Sequence, residues 1–160
     1  MTEPDRFSVP RSQWVRCLST LRPEVLKALA ASCTAGCEVL DLQLPKAGLG
    51  LLQLRDSALG DAYFIGEIPL AKAHVRITTE SGRVVEGAAF LMDDRIGLVK
   101  ALATLDAVLT AKIPGWEQVE AALLQGHQTV LEQVRVRKLI IETTRVDFSL
   151  LSAAREDDDV

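Results

Sequence analysis

Between Glu38 and Leu91 apolar residues recur at every second position, which is the period of a strand, whereas on either side they recur at every third or fourth. Leu40, Leu42 and Leu44 alternate with Asp41 and Gln43, and Ala71, Ala73, Val75 and Ile77 alternate with Lys72, His74, Arg76 and Thr78. A sheet of this kind has one dry face and one wet face. The pattern predicts a first strand over 38–44, a turn at Pro45–Gly48, and a second strand over 49–55. After a loop over 56–61, Tyr63–Ile65 leads through Gly66 and Pro69 into a long strand ending at Thr79. Pro69 has no amide hydrogen to donate, so a bulge or a strand start is expected there. Glu80–Gly82 then turns the chain into a last strand over 83–91. An antiparallel sheet of about four to five strands follows.

The flanks read as helices that cover the dry face, so the expected class is α+β. Pro10 can occupy a first helical turn, with Trp14, Leu18 and Leu21 as one apolar stripe. Pro23 opens a second helix that presents Val25, Leu26, Leu29 and Cys33 on one side and stops at Gly36. Past the sheet, Asp93 or Asp94 is placed to cap a helix whose buried stripe is Leu98, Leu102, Leu105 and Leu109. Pro114 and Gly115 end it. Trp116 to about Glu142 is helical again and divided at Gly126, giving two or three helices after the sheet. Val130, Leu131 and Val134 are expected on the inner face of the last piece, with Arg135, Arg137 and Lys138 outside. The apolar run Leu139–Ile141 suits either a partner interface or burial against the sheet.

Composition narrows the class without changing this outline. At 160 residues, 48% hydrophobic and 25% charged, the chain is ordinary globular material. A single domain over 11–150 is expected, with a flexible arm at 1–10 and a flexible acidic tail at 151–160. The formal net charge is −4, and residues 155–159 supply −3 of it, so no nucleic-acid footprint is visible. No apolar run is long enough for a membrane span, and Met1–Pro10 lacks the core of a signal peptide, so the cytoplasm is the expected location and no membrane partner is expected. The three cysteines fit a reducing compartment. Cys33 and Cys37 are separated by three residues, looser than the two-residue gap of a zinc ribbon, and a metal site would also need His74 and His127. Small buried thiols are the simpler reading, and no metal is expected.

Self-contained catalytic signatures are missing. Gly48–Gly50 is a GxG that begins a strand instead of opening a helix, and no phosphate loop, HExxH, GxSxG or CxxC occurs. Lys72, His74 and Arg76 share the wet face of one strand and form a candidate anion-binding trio, against the alternative of a solvated face. Asp93 and Asp94 suit either magnesium or helix capping. Arg135, Arg137 and Lys138 suit either an acidic partner, a nucleotide triphosphate, or the dipole of a helix end.

One resemblance covers most of the chain. Arg11 and Trp14, then Pro45, Gly48 and Leu49, Arg55, Gly60, Phe64, Gly66 and Glu67, Val75 with Arg76, Asp94, Asp106 with Ala107, and finally Arg145–Phe148 resemble the PhnG subunit family of the bacterial carbon-phosphorus lyase system. The resemblance singles out Arg11, Trp14, Gly48, Gly66, Glu67, Asp94, Arg145, Asp147 and Phe148 as family-motif or interface positions. It departs from the family pattern at three places. Pro-Glu-Thr-Gly becomes Pro45–Gly48, Thr-Arg becomes Ala71 and Lys72, and Gly-Arg-Asp becomes Met92–Asp94.

The resemblance implies an accessory subunit of the α-D-ribose 1-methylphosphonate 5-triphosphate synthase, in which a phosphonate displaces adenine from ATP. It places no catalytic residue on this chain and implies PhnI-type, PhnH-type and PhnJ-type partners and self-association. ATP and magnesium would be substrate of the complex, with no cofactor on this chain. The alternative is a stand-alone homodimer that binds a small anion on Lys72, His74 and Arg76.

Overall fold

The computed structural model describes residues 9–144. Four helices and three strands follow one another as α1 (Arg11–Leu18), α2 (Pro23–Cys33), β1 (Glu38–Arg55), β2 (Ala62–Thr78), β3 (Val84–Leu91), α3 (Ile96–Ala111) and α4 (Trp116–Thr143). The strands form one antiparallel sheet in the order β1-β2-β3. The α+β class is as expected, and the sheet has three strands instead of four to five, with two helices after it.

α3 is the centre of the body. Its sequence is apolar on all sides, which suits a helix with neighbours all around, and 12 of its 16 residues are buried. Leu98, Leu102, Leu105 and Leu109 form the expected stripe, each removed from water to the extent that stabilises by about 1.5–3 kcal/mol per side chain. Below it lie Ala71, Ala73, Val75 and Ile77 of β2 and Gly87 and Ala89 of β3, with α1, α2 and α4 also packed around it. Small residues set the spacing. A Cβ on Gly87 would fall 2.2 Å from the carbonyl oxygen of Ala103 and 2.6 Å from the nitrogen of Ala107, so β3 rests directly on the helix backbone.

Four expectations are corrected. Pro45–Gly48 is not a turn: β1 runs unbroken from Glu38 to Arg55, with register shifts between Asp41 and Gln43 and between Gln43 and Lys46. β1 is an edge strand, where a proline at a bulge removes no ladder bond. Pro69 lies within β2 opposite Leu49, beyond the end of β3, so the strand has only one neighbour there.

The phase of β1 is also inverted. Val39 and Asp41 face the helices, opposite Ile77 and Val75, while Leu40 and Leu44 are exposed. Asp41 is accepted inside because Lys100 of α3 donates to its Oδ2 at 2.8 Å. Third, α4 is continuous through Gly126. This glycine is where α1 crosses, since a Cβ on it would sit 2.1 Å from the carbonyl oxygen of Cys17. Fourth, of the three residues assigned to the inner face of α4, only Val130 is buried; Leu131 and Val134 are exposed.

Two pieces leave the body. β3 pairs only with residues 71–78 of β2, so 47–55 and 62–70 form a two-stranded arm roughly 30 Å long. Its tip, Asp56–Asp61, is held by the Asp56 carboxylate, which accepts the amides of Ala58 and Leu59, each at 3.1 Å, and closed by Gly60 at φ +74°. The second piece is α4 beyond Val130, over 131–143, in which every residue is exposed. The tail and most of the N-terminal arm lie outside the described residues, although Val9 is fully buried.

The crossing at Gly126 gives a test by sign. Glycine to alanine inside an exposed helix stabilises by about 0.5–1 kcal/mol. Here Gly126→Ala is expected to destabilise by about 1–3 kcal/mol in urea unfolding, because the added methyl meets the backbone of α1. A gain in stability would mean that the two helices do not meet there.

Candidate functional site

Asp106 is the one acidic residue of α3, and its side chain is almost fully buried. A carboxylate in such a place needs hydrogen-bond donors on both oxygens. Arg11 of α1 supplies a fork, Nε to Oδ1 at 2.9 Å and Nη2 to Oδ2 at 2.7 Å, and the Ala88 amide of β3 donates to Oδ2 at 3.1 Å. That amide points off the sheet edge, so Asp106 satisfies a group that no fourth strand pairs. Trp14, buried one turn after Arg11, donates its indole N–H to the Val9 carbonyl at 2.9 Å. Arg11 and Trp14 therefore serve the architecture of the α1, α3 and β3 junction. A lone acid in an apolar helix was the available signal for Asp106.

The outer sheet face carries the candidate trio. His74 and Arg76 both engage Glu86 on β3: Arg76 Nε and Nη2 donate to Oε1 at 3.1 and 2.7 Å, and His74 Nε2 lies 3.2 Å from Oε2. The hydrogen bonds from Arg76 hold the Glu86 carboxyl below its ordinary range. Glu86 thus occupies the place that an outside anion would take between those two side chains. Sequence reasoning passed over it, though it sits directly opposite Arg76 and in the same polar phase.

Lys72 stands apart from this cluster. Across the β1-β2 ladder it faces Lys46, and next to that pair Ala71 faces Ala47. Two of the three departures from the family pattern therefore meet at one spot, the base of the arm. Both lysines are exposed, and neither meets a carboxylate among the described residues.

The third departure lies in the β3-α3 connection. Asp93 does not cap α3, whose N-cap is Arg95 without a side-chain bond. Its carboxylate instead accepts the Arg95 amide at 2.8 Å and the Arg95 guanidinium, and those bonds hold it at about 2. Asp94 is exposed beside it, and neither Asp94 nor Asp93 caps the helix.

Among the other motif positions, Gly48 and Gly66 lie in the arm and Glu67 faces Leu51 across it. Arg145, Asp147 and Phe148 lie outside the described residues. Cys17 and Cys33 are buried, with Cys33 Sγ donating to the Gly115 carbonyl, and burial pushes both thiols above their ordinary value, which keeps them protonated. No three His, Cys, Asp or Glu side chains converge on a metal-sized space among the described residues.

Exposed apolar surface is concentrated on the two projections. On the arm Leu49, Leu51, Leu59, Phe64 and Ile65 are each more than half exposed; on the end of α4 so are Leu131, Leu139, Ile140 and Ile141. Arg135, Arg137 and Lys138 are exposed among the latter, and Lys138 is within 3.8 Å of Glu142. No helix of the described residues is long and apolar enough to cross a membrane.

The fold and this surface define an α+β protein with a buried ion-paired junction, an outer sheet face that mixes charged residues with exposed Leu40, Val84 and Phe90, and further apolar side chains on one hairpin and one helix end. By sequence the chain belongs to the PhnG family, described as phosphonate metabolism protein PhnG, whose family model matches residues 9–153. Among curated proteins none matches it. Family membership assigns the chain a role in phosphonate metabolism.

Two measurements test this geometry. In a double-mutant cycle, Arg11→Ala and Asp106→Asn are expected to destabilise by about 1–3 kcal/mol each and to couple by at least about 0.5 kcal/mol; strict additivity would dissolve the junction. For Asp93 the folded value is depressed, so its contribution is present above its ordinary 3.8 and disappears as pH falls towards about 2. Arg95→Ala is expected to return the Asp93 midpoint towards 3.8 in an NMR titration of side-chain carboxyls. An unmoved midpoint would refute the pairing.

Proposed function

We propose that this chain is an accessory subunit of a complex that displaces adenine from ATP with a phosphonate, forming a ribose 1-phosphonate 5-triphosphate, with catalysis mainly on a partner of the PhnI type. The observation that carries the reading is the arm. A two-stranded hairpin is at best marginally stable in water without a third layer, and this one leaves Leu49, Leu51, Phe64 and Ile65 exposed. Such an element fits a chain that completes its packing against another polypeptide. PhnI-type, PhnH-type and PhnJ-type subunits are the partners the family relationship favours.

The described residues fit a supporting role better than an active centre. Four carboxylates among them are held by a basic partner of the same chain: Asp106 by Arg11, Glu86 by Arg76, Asp93 by Arg95, and Asp41 by Lys100. The thiols of Cys17 and Cys33 are buried, and burial raises both above their ordinary value. In this reading the subunit shapes the outcome, favouring phosphonate over water as the group that replaces adenine. The stand-alone anion-binding alternative has less support, because the Glu86 carboxylate already lies against both Arg76 and His74.

The test is coexpression of the full chain with PhnI-type, PhnH-type and PhnJ-type subunits, followed by purification through a tag on this chain. A stable complex is expected, which on ATP and methylphosphonate releases adenine together with the phosphonate product. Omitting this chain is expected to leave adenine release by hydrolysis without that product. Separate elution of the subunits, or equal phosphonate product without this chain, would reject the proposal.

A further inference from the structure

Three stretches of strand are edges, and they are treated differently: β3, β1, and β2 over 62–70 beyond the end of β3, which carries Glu67 and Pro69. On β3 the edge amide of Ala88 is taken by Asp106, with α1 packed alongside. β1 is open along its whole length, but its first half carries the devices that discourage strand pairing: two register shifts, Pro45 and Lys46. From Ala47 to Leu54 these devices stop. The eight residues Ala-Gly-Leu-Gly-Leu-Leu-Gln-Leu hold no charge and no proline, and a single register shift, between Leu52 and Gln53, interrupts their ladder. An uncharged apolar edge of this length is a template for another strand.

Charge says what kind of strand. At the inner end of this stretch Lys46 faces Lys72, and like charges directly opposite one another are unfavourable unless an anion is shared between them. A second copy of the chain does not supply it. Two copies cover all eight residues of each other in only one antiparallel register, and that register sets Lys46 of one against Arg55 of the other at both ends.

We infer that the β1 edge over Ala47–Leu54 accepts an extended segment of a partner subunit by strand addition, an apolar run of about eight residues with a carboxylate that lands beside Lys46 on the face it shares with Lys72. The inference rests on the accessory-subunit reading and specifies where the partner binds. Backbone ladder bonds hold the segment, Leu49, Leu51 and Leu54 gain a neighbouring strand, and the carboxylate fixes the register. The arm then gains a third strand on the edge that carries neither charge nor proline.

The experiment compares amide hydrogen exchange of the full chain alone and in the coexpressed complex with PhnI-type, PhnH-type and PhnJ-type subunits. Slowing by about tenfold or more is expected in peptides spanning 47–54, with peptides of β3 unchanged. Lys46→Glu, which pairs with Lys72 within the chain, is expected to weaken the complex about tenfold while leaving the melting temperature of the isolated chain unchanged or raised. A complex that forms with 47–54 exchanging at the isolated rate overturns the inference and leaves the accessory-subunit reading standing. So does an isolated chain that dimerises with the same amides protected, which would make a second copy the occupant. Unchanged affinity on Lys46→Glu removes the carboxylate. Failure of any complex to form rejects both.

Discussion

A carboxylate buried in an apolar helix must be matched, and in this chain the match organises three elements at once. Asp106 receives the Arg11 fork from α1 and the Ala88 amide from β3. Remove the carboxylate and α1 loses its polar tie to α3, while β3 regains an unpaired edge amide. Remove the arginine and a charge is left in a place that cannot hydrate it. The arginine side chain is itself half exposed, so solvent screens part of the pair, and its value lies as much in geometry as in energy. It fixes the direction in which α1 leaves the sheet, and with that the crossing of α1 over α4 at Gly126.

Around α3, small residues at Gly87, Ala89, Ala103 and Ala107 let the layers approach to backbone contact, so the body is held by close packing of a short segment of sheet. The strands are much longer than the segment that is packed. Residues 47–55 and 62–70 continue past the last contact with the helices, as α4 continues past Val130. Burial of a few leucines outweighs ordering entropy inside the body, whereas on the arm the same residues remain wet. The chain therefore stores apolar surface where it can be covered only from outside.

Much of this was legible from the residues. The two-residue rhythm of Ala71–Ile77 and the stripe Leu98, Leu102, Leu105, Leu109 placed the sheet and the central helix because each segment is buried against the core. Errors gathered where that constraint lapses. Pro45–Gly48 has the composition of a turn, and an edge strand tolerates the same residues at a bulge, so local chemistry alone does not separate the two. Gly126 looked like a break because the sequence does not show that a second helix passes over it. The phase of β1 was misjudged since Asp41 is made acceptable inside by Lys100, 59 positions away in the chain. On the candidate site, the two-residue alternation puts Lys72, His74 and Arg76 in one phase of β2, but Glu86, which meets His74 and Arg76, comes from a neighbouring strand whose register the sequence does not state.

The positions that depart from the family pattern are coupled by the same register. Ala47 opposite Ala71 replaces what would be a pair of threonines, and Lys46 opposite Lys72 replaces what would be an acid facing a base. The first exchange is neutral for packing, since two methyl groups fill a cross-strand position without leaving a polar atom unpaired. The second removes a favourable cross-strand pair and installs an unfavourable one. Surface lysines can splay apart in water, so the cost is modest and no rearrangement of the ladder is needed. The net effect is to put a second positive charge, Lys46, opposite Lys72 at the inner end of an uncharged edge of the arm, an arrangement that a neighbour bringing its own negative charge would relieve.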